Sequence, residues 1–182
     1  MSDAAAEPVP VLVIAMGVSG SGKSTLAARL ARAWDFRLLE ADDFHPAANR
    51  ERMARGEPLT DAMREPWIAA LCAALRRHRA QGESCVLAWS GLRRGHRQRF
   101  RELGYPTRFI HLAGDPELVR ARLRARTGHF APADLLDSQL LALEAPAGEA
   151  DVVAVDLAPG IDEVTRQANA ALRHWLARPP RR

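Results

Sequence analysis

Val11-Leu12-Val13-Ile14-Ala15-Met16-Gly17-Val18-Ser19-Gly20-Ser21-Gly22-Lys23-Ser24-Thr25-Leu26-Ala27-Ala28-Arg29-Leu30-Ala31-Arg32-Ala33-Trp34 is the stretch on which the fold turns. Val11 to Met16 form a continuous apolar run, the pattern of a buried strand. From Ser24 onward, Leu26, Leu30 and Trp34 fall at helical spacing. Between the two, Gly17 to Ser24 match the phosphate-loop pattern G-x-x-x-x-G-K-[ST] at every position. A chance match in a glycine-rich turn needs neither a strand before it nor a helix after it. Strand, glycine loop and helix together aim backbone N–H groups and a helix N-terminus at an anion. Lys23 is also the only lysine among 26 basic residues, the others being arginine. A loop wrapped closely round phosphates has room for a compact ammonium and none for a planar guanidinium, which supplies a chemical reason for the exception.

Outward from this stretch, strand-like runs at 36–41, 84–90, 107–113 and 152–157 follow the first at 11–16 and alternate with helical patterns. Trp67, Leu71, Ala74, Leu75 and His78 share one face of a helix expected from Pro66 to just before Gly82. Asp115-Pro116 reads as the cap and first turn of a helix running through Arg126. Leu136, Gln139, Leu140 and Leu143 mark another, and Val164, Ala168, Ala171, Leu172 and Trp175 stripe the last. Repeated strand–helix units predict an α/β fold, a five-stranded parallel sheet covered on both faces as a three-layer sandwich. Ligands of such sheets bind at the carboxyl ends of the strands, so Asp42, Asp43 and the residues from Ser90 onward carry the most weight.

A length of 182 residues suits one domain with a single core, expected over 10–177 between loose tails at 1–9 and 178–182. No apolar run approaches the roughly 20 residues of a membrane span, and Asp3 and Glu7 with no basic stretch before Val9 do not resemble a signal peptide. Cys72 and Cys85 lack metal-knuckle or redox spacing and read as buried thiols of a reducing cytoplasm. The pI of about 10.0 accompanies a net charge of only +4, with acidic residues interleaved among dispersed arginines and few aromatics to stack bases. That balance points to anionic small molecules rather than nucleic acid or a membrane surface.

The segment Asp42-Asp43-Phe44-His45-Pro46-Ala47-Ala48-Asn49-Arg50-Glu51-Arg52-Met53 follows the second strand and leads into Gly56-Glu57-Pro58-Leu59-Thr60-Asp61-Ala62-Met63-Arg64-Glu65-Pro66-Trp67. A capped surface helix accounts for Pro46 in a first turn and Gly56 at an end. It leaves Asp42 unexplained, together with His45, Asn49 and Arg52, which fall at i, i+4 and i+7 on one face. A polar stripe beginning at a strand end faces the phosphate loop, so this segment is expected to hold the substrate.

With these residues in view, the chain resembles the gluconokinase family. The resemblance rests on the phosphate loop through Thr25, the D-x-x-H-P-x-x-N-x-x-x-M segment from Asp42 to Met53, and Gly56 to Trp67. It also rests on Arg126-x-Gly128-His129-Phe130 and on Leu135-Leu136-x-Ser138-Gln139-x-x-x-Leu143-Glu144-x-Pro146, and it runs from about Val11 to Asp156. The chain departs from the family pattern at Ala41, Met63, Trp89, Gly91 and Arg93; the changes at Trp89 and Gly91 either exchange volume or reshape the pocket. The resemblance implies a P-loop fold of the nucleoside-monophosphate-kinase type with a mobile lid, here about 122–135. It implies ATP-dependent phosphorylation of D-gluconate at its 6-hydroxyl in the cytoplasm.

On that reading the amides of Ser19 to Ser24 cradle the β-phosphate, Gly17, Val18 and Thr25 complete the nucleotide site, and Lys23 bridges towards the γ-phosphate. Ser24 ligates Mg²⁺, which Asp42 also holds through water, and Asp42 orients or deprotonates the attacking hydroxyl. Asp43 reads as a solvated cap. His45, Asn49, Arg52 and Arg64 offer donors for a polyol and its carboxylate, with no choice made among the arginines. Arg122 and Arg126, one turn apart, are expected to bring guanidinium charge onto the phosphates from the lid, with His129 as substrate contact or hinge partner. The expected partners are the sugar acid and at most a second copy of the chain. Rival readings are a shikimate-like or adenylylsulfate-type kinase on the same scaffold, a nucleotide switch and a nucleic-acid-dependent ATPase. With Lys23 committed, no lysine remains for the Asn-Lys-x-Asp motif of guanine recognition, and no aromatic-basic platform supports the last.

Overall fold

A computed structural model describes residues 9–125 and 133–178, without the side chains of Ala133 and Asp134. Five strands form one parallel sheet: β1 (Leu12–Met16), β2 (Arg37–Glu40), β3 (Cys85–Trp89), β4 (Thr107–Ala113) and β5 (Val152–Asp156), in the order β2-β3-β1-β4-β5. Around them lie α1 (Lys23–Trp34), α2 (Ala47–Ala54), α3 (Asp61–Ala80), α4 (Arg94–Arg101), α5 (Pro116–Ala125), α6 (Ala133–Ala142) and α7 (Ile161–Leu176).

Alternation along β1 divides the core. Leu12, Ile14 and Met16 pack with Trp67, Ile68, Leu71 and Leu75 of α3 and with Phe100 of α4 on one face of the sheet. Val13 and Ala15 pack with Leu26 and Leu30 of α1 and with Val164, Ala168 and Leu172 of α7 on the other. Each face of the central strand is therefore sealed, which is why 11–16 reads as an unbroken apolar run. A third cluster of Val18, Leu92, Val119, Leu136 and Leu157 lies beyond the strand ends and seats α5 and α6 against the phosphate loop.

The strand order places β1 between β3 and β4, so the chain leaves its carboxyl end beside the crevice where the direction of winding reverses. Both thiols are free and buried, and burial pushes Cys85 up to about 11, which makes it a core residue rather than a nucleophile.

Beyond shifts of one residue at strand and helix ends, three boundaries near the site differ from the sequence expectation. The second strand stops at Glu40, and Ala41–Phe44 form a 3₁₀ turn. The helix expected at Pro66 starts five residues earlier, at Asp61, because Thr60 Oγ1 caps it by accepting Met63 N–H at 3.3 Å. Pro66 thus sits inside α3, and Arg64 rides on its first turn instead of in a loop. His45 precedes α2 rather than opening it, with Pro46 at the N-cap position. Helix α4 carries no apolar stripe that would announce it; Phe100 and, unexpectedly, Arg97 are its buried residues.

Candidate active site

The loop between β1 and α1 is bent by glycine where other residues could not follow. Gly22, the N-cap residue of α1, has φ 96°, and Gly20 has φ 78°. A Cβ on Gly20 would also lie 2.6 Å from Leu123 Cγ of α5, so the loop is roofed as tightly as it is turned. Gly17 N–H donates to Ser90 O at 3.2 Å, tying the start of the loop to the end of β3. Lys23 Nζ donates to Val18 O at 3.0 Å, which folds the ammonium back over the loop.

Ser24 Oγ donates to Glu40 Oε2 at 2.9 Å, bringing the last residue of β2 against the first turn of α1. Burial lifts the Glu40 carboxyl above its usual value, with repulsion from Asp42 and Asp43 adding to the effect and the Ser24 hydroxyl and Lys23 opposing it.

Facing this loop, the 3₁₀ turn leaves the Asp42 side chain 90% exposed, with its Oδ1 3.9 Å from His45 Nε2. His45 is buried and stacks on Trp67, ring centroids 4.0 Å apart at 18°. Trp67 Nε1 in turn donates to Ala41 O at 2.6 Å, so the carbonyl beside Asp42 is fixed by the same indole. Buried Asn49 Nδ2 donates to Met63 O at 2.9 Å and lies 3.5 Å from His45 Nδ1. A carboxamide NH₂ carries two hydrogens, one for each neighbour, so Nδ1 accepts and the ring proton resides on Nε2. Burial holds the His45 imidazole below its ordinary pKa, against the pull of Asp42. The result is a neutral ring presenting one N–H donor beside the Asp42 carboxylate.

One cavity of about 230 Å³ joins these two walls. Ser19, Gly20, Gly22, Lys23, Ser24 and Thr25 line one side, and Asp42, His45 and Arg64 line the other. Of the remaining expected residues, Gly17, Val18 and Ser21 form the body of the loop, and Asn49 sits behind His45. Arg52 is turned away, donating to Pro58 O at 2.9 Å and pairing with Glu57 at 3.1 Å. Arg122 donates to Leu157 O at 2.7 Å, beyond the end of β5. Arg126 and His129 lie outside the described residues, as does the middle of the expected lid, 126–132.

Sequence reasoning named neither Glu40 nor Gln139 as a site residue, and placed Met53 and Trp67 only within the motif segments; all four line the cavity. Glu40 was legible as a carboxylate near the end of an apolar strand, and Gln139 as the polar member of a leucine stripe. Among the departures from pattern, Met63 gives its carbonyl to Asn49 and is not among the lining residues. Trp89 is buried against Phe100, and a Cβ on Gly91 would lie 3.0 Å from Met16 Cβ. Trp89 also lines the cavity, so the change at this position bears on the pocket, whereas Gly91 is confined by Met16.

Ser24, Glu40 and Asp42 supply hard oxygen donors on one rim, the chemistry that suits Mg²⁺. Among the described residues no three His, Cys, Asp or Glu side chains gather as a metal cage. That pattern fits an ion held largely by phosphates and water.

A family model described as an AAA domain matches residues 12–146. A gluconokinase of Gluconobacter oxydans (strain 621H) is 39% identical over 168 residues, covering 92% of this chain and 93% of that protein. The thermosensitive gluconokinase of Escherichia coli (strain K12) is 38% identical over 160 residues, covering 87% and 86%. The crystal structure of a gluconokinase from Sinorhizobium meliloti 1021 superposes with a TM-score of 0.84 at 39% identity, covering 92% of this chain and 94% of that one.

Proposed function

The chain belongs to the gluconokinase family, and on that premise we propose how its residues carry the γ-phosphoryl group of ATP to the 6-hydroxyl of D-gluconate. The observation that carries the reading is the shared cavity, with a phosphate loop on one wall and Asp42, His45 and Arg64 on the facing wall. Phosphoryl transfer asks a protein for alignment and charge neutralisation more than for covalent chemistry, and these two walls provide both.

Backbone amides of Gly20, Gly22, Lys23 and Ser24 hold the β-phosphate, those of Ser19 and Ser21 being engaged by Gln139 Oε1 and Val18 O, and Lys23 leaves Val18 O to reach the β- and γ-phosphate oxygens. Asp42 accepts the proton of the attacking hydroxyl or fixes its lone pair on the line of attack. His45 Nε2–H donates to a neighbouring hydroxyl of the polyol, its orientation held by Asn49 behind and Trp67 beneath. Arg64 takes the gluconate carboxylate. It lines the cavity with 18% of its side chain exposed, and it already holds the Asp61 carboxylate at 2.7 Å. Arg52, tied to Glu57 and Pro58, shapes the loop that carries Pro58 and Leu59 to the cavity edge.

Ser24 and Asp42 would hold Mg²⁺, with Glu40 orienting the Ser24 hydroxyl; the ion, when bound, neutralises charge on the β- and γ-phosphates. Arg122 stands on the side of the loop after β5 and serves the nucleotide. Arg126, within the proposed lid of about 122–135, brings guanidinium charge onto the transferring group, and His129 serves as substrate contact or hinge partner.

A coupled ADP-release assay with gluconate against related sugar acids tests the assignment, with ³¹P NMR reporting which hydroxyl is phosphorylated. Robust turnover confined to gluconate, at its terminal hydroxyl, is the expected result. An inert gluconate beside an active different hydroxy acid would overturn it.

A further inference from the structure

The mechanism above leaves Gln139 without a task. Its Oε1 accepts the N–H of Ser19 at 2.6 Å, a contact between residues 120 apart in sequence. The carbonyl of the same peptide unit, Val18 O, accepts Lys23 Nζ at 3.0 Å and Ser21 N–H at 3.2 Å. A peptide unit is planar and rigid, so fixing its N–H fixes its C=O on the opposite side. Gln139 therefore sets the direction in which Val18 O points, and Val18 O is where the lysine rests.

The base from which Gln139 reaches is firm. Leu136, nearly one helical turn before it on α6, is fully buried in the cluster with Val18, Leu92, Val119 and Leu157. α6 is thereby packed against the residue whose peptide Gln139 holds. Ser138 and Gln139 line the same cavity as Lys23 and Asp42. A side chain on a loose surface helix could meet Ser19 incidentally; one on a helix anchored to Val18 is set there by packing.

We propose that Gln139 is a positioning residue for phosphoryl transfer, acting on Lys23 through the Val18–Ser19 peptide. It rests on the kinase reading given above. With Gln139 in place, the carbonyl gives the ammonium a defined station at the start of the loop, a short swing from the terminal phosphate. Without an acceptor for Ser19 N–H, the peptide is held from its carbonyl side alone, by Ser21 N–H and Lys23, and the direction of the station is less sharply set.

The test uses Gln139→Met, which keeps length and removes the acceptor, and Gln139→Glu, which keeps an oxygen for Ser19 N–H and adds charge. Leu141→Ala, at a side chain 88% exposed on the same helix, is the control. Gln139→Met is expected to lower kcat by about tenfold or more with KM for gluconate little changed, since small misplacements of a charge-bearing group are costly in rate. Gln139→Glu is expected to keep most of kcat while KM for ATP rises from repulsion of the phosphates. A second readout does not depend on turnover. Lysine labelled with ¹³C at Cε alone gives one signal, from Lys23; Gln139→Met should move it, and Leu141→Ala should leave it close to wild type. Unchanged kcat and an unmoved lysine signal in Gln139→Met would overturn the proposal, as would equal loss of kcat in both variants. Wild-type protein inactive on gluconate with the signal still moved would instead sink the gluconate reading and leave the coupling standing.

Discussion

Lys23 and Asp42 face each other across the cavity with different margins for substitution. Lys23 lies inside a loop pressed between α1 and Leu123, where an ammonium fits and a fork of five donors does not. Lys23→Arg, though it keeps the charge, should cost on the order of 10²-fold or more in kcat, with an unchanged melting curve. Asp42 has an exposed side chain, so its replacement disturbs no packing. Asp42→Asn should lower kcat by roughly 10²-fold while the Kd for ATP, measured by calorimetry, stays within about twofold. A near-normal rate in that variant would remove Asp42 from the mechanism.

Elements whose apolar spacing announces them were legible, and those held by charge were not. All five strands and the helices α1, α3, α6 and α7 follow from runs and stripes of apolar residues, because sheet and helix faces buried in one core must be apolar at fixed intervals, and α5 follows from its Asp115-Pro116 start. α4 escaped because what it buries is a guanidinium. Arg97 is fully buried and donates to Gly91 O at 2.6 Å, Glu144 O at 3.1 Å and both oxygens of Glu149. It fastens the chain after β3 to the chain after α6, and no local pattern encodes a partner some 50 residues away. The same holds for the site. Lys23 and Asp42 could be placed by motif and strand end, whereas Glu40 and Gln139 gain meaning through contacts with Ser24 and Ser19 that only the fold creates. Arg97→Met should destabilise the fold by about 1–3 kcal/mol, since Gly91 O and Glu144 O lose their donor while Glu149 keeps Arg101. Arg97→Lys should recover little, as three donors from one nitrogen cannot serve carbonyls and a carboxylate in different directions. Thermal melts of both variants check this.

At the scale of the molecule, the network around Arg97 ties stability to pH. Hydrogen bonds and charge from Arg97, then Arg101, hold the Glu149 carboxyl down at about 2 from its ordinary 4.5. A carboxylate depressed in the folded state adds stability that is fully present above its unfolded value and disappears as pH falls through the folded one. The difference in melting temperature between wild type and Glu149→Gln should therefore be steady from neutral pH to about 5 and close between about 4.5 and 2. A constant gap across that window would show that Glu149 contributes by shape alone. The phosphate loop has a consequence of another kind. The chain holds one lysine, and it is the first residue of α1. A lysine-specific endoproteinase thus has a single bond to cut in 182 residues, Lys23–Ser24, where the phosphate loop enters α1. The rate of that one scission, followed as the appearance of two fragments, becomes a gauge of how often the loop opens, and nucleotide shielding can be read from a gel without any assay of catalysis.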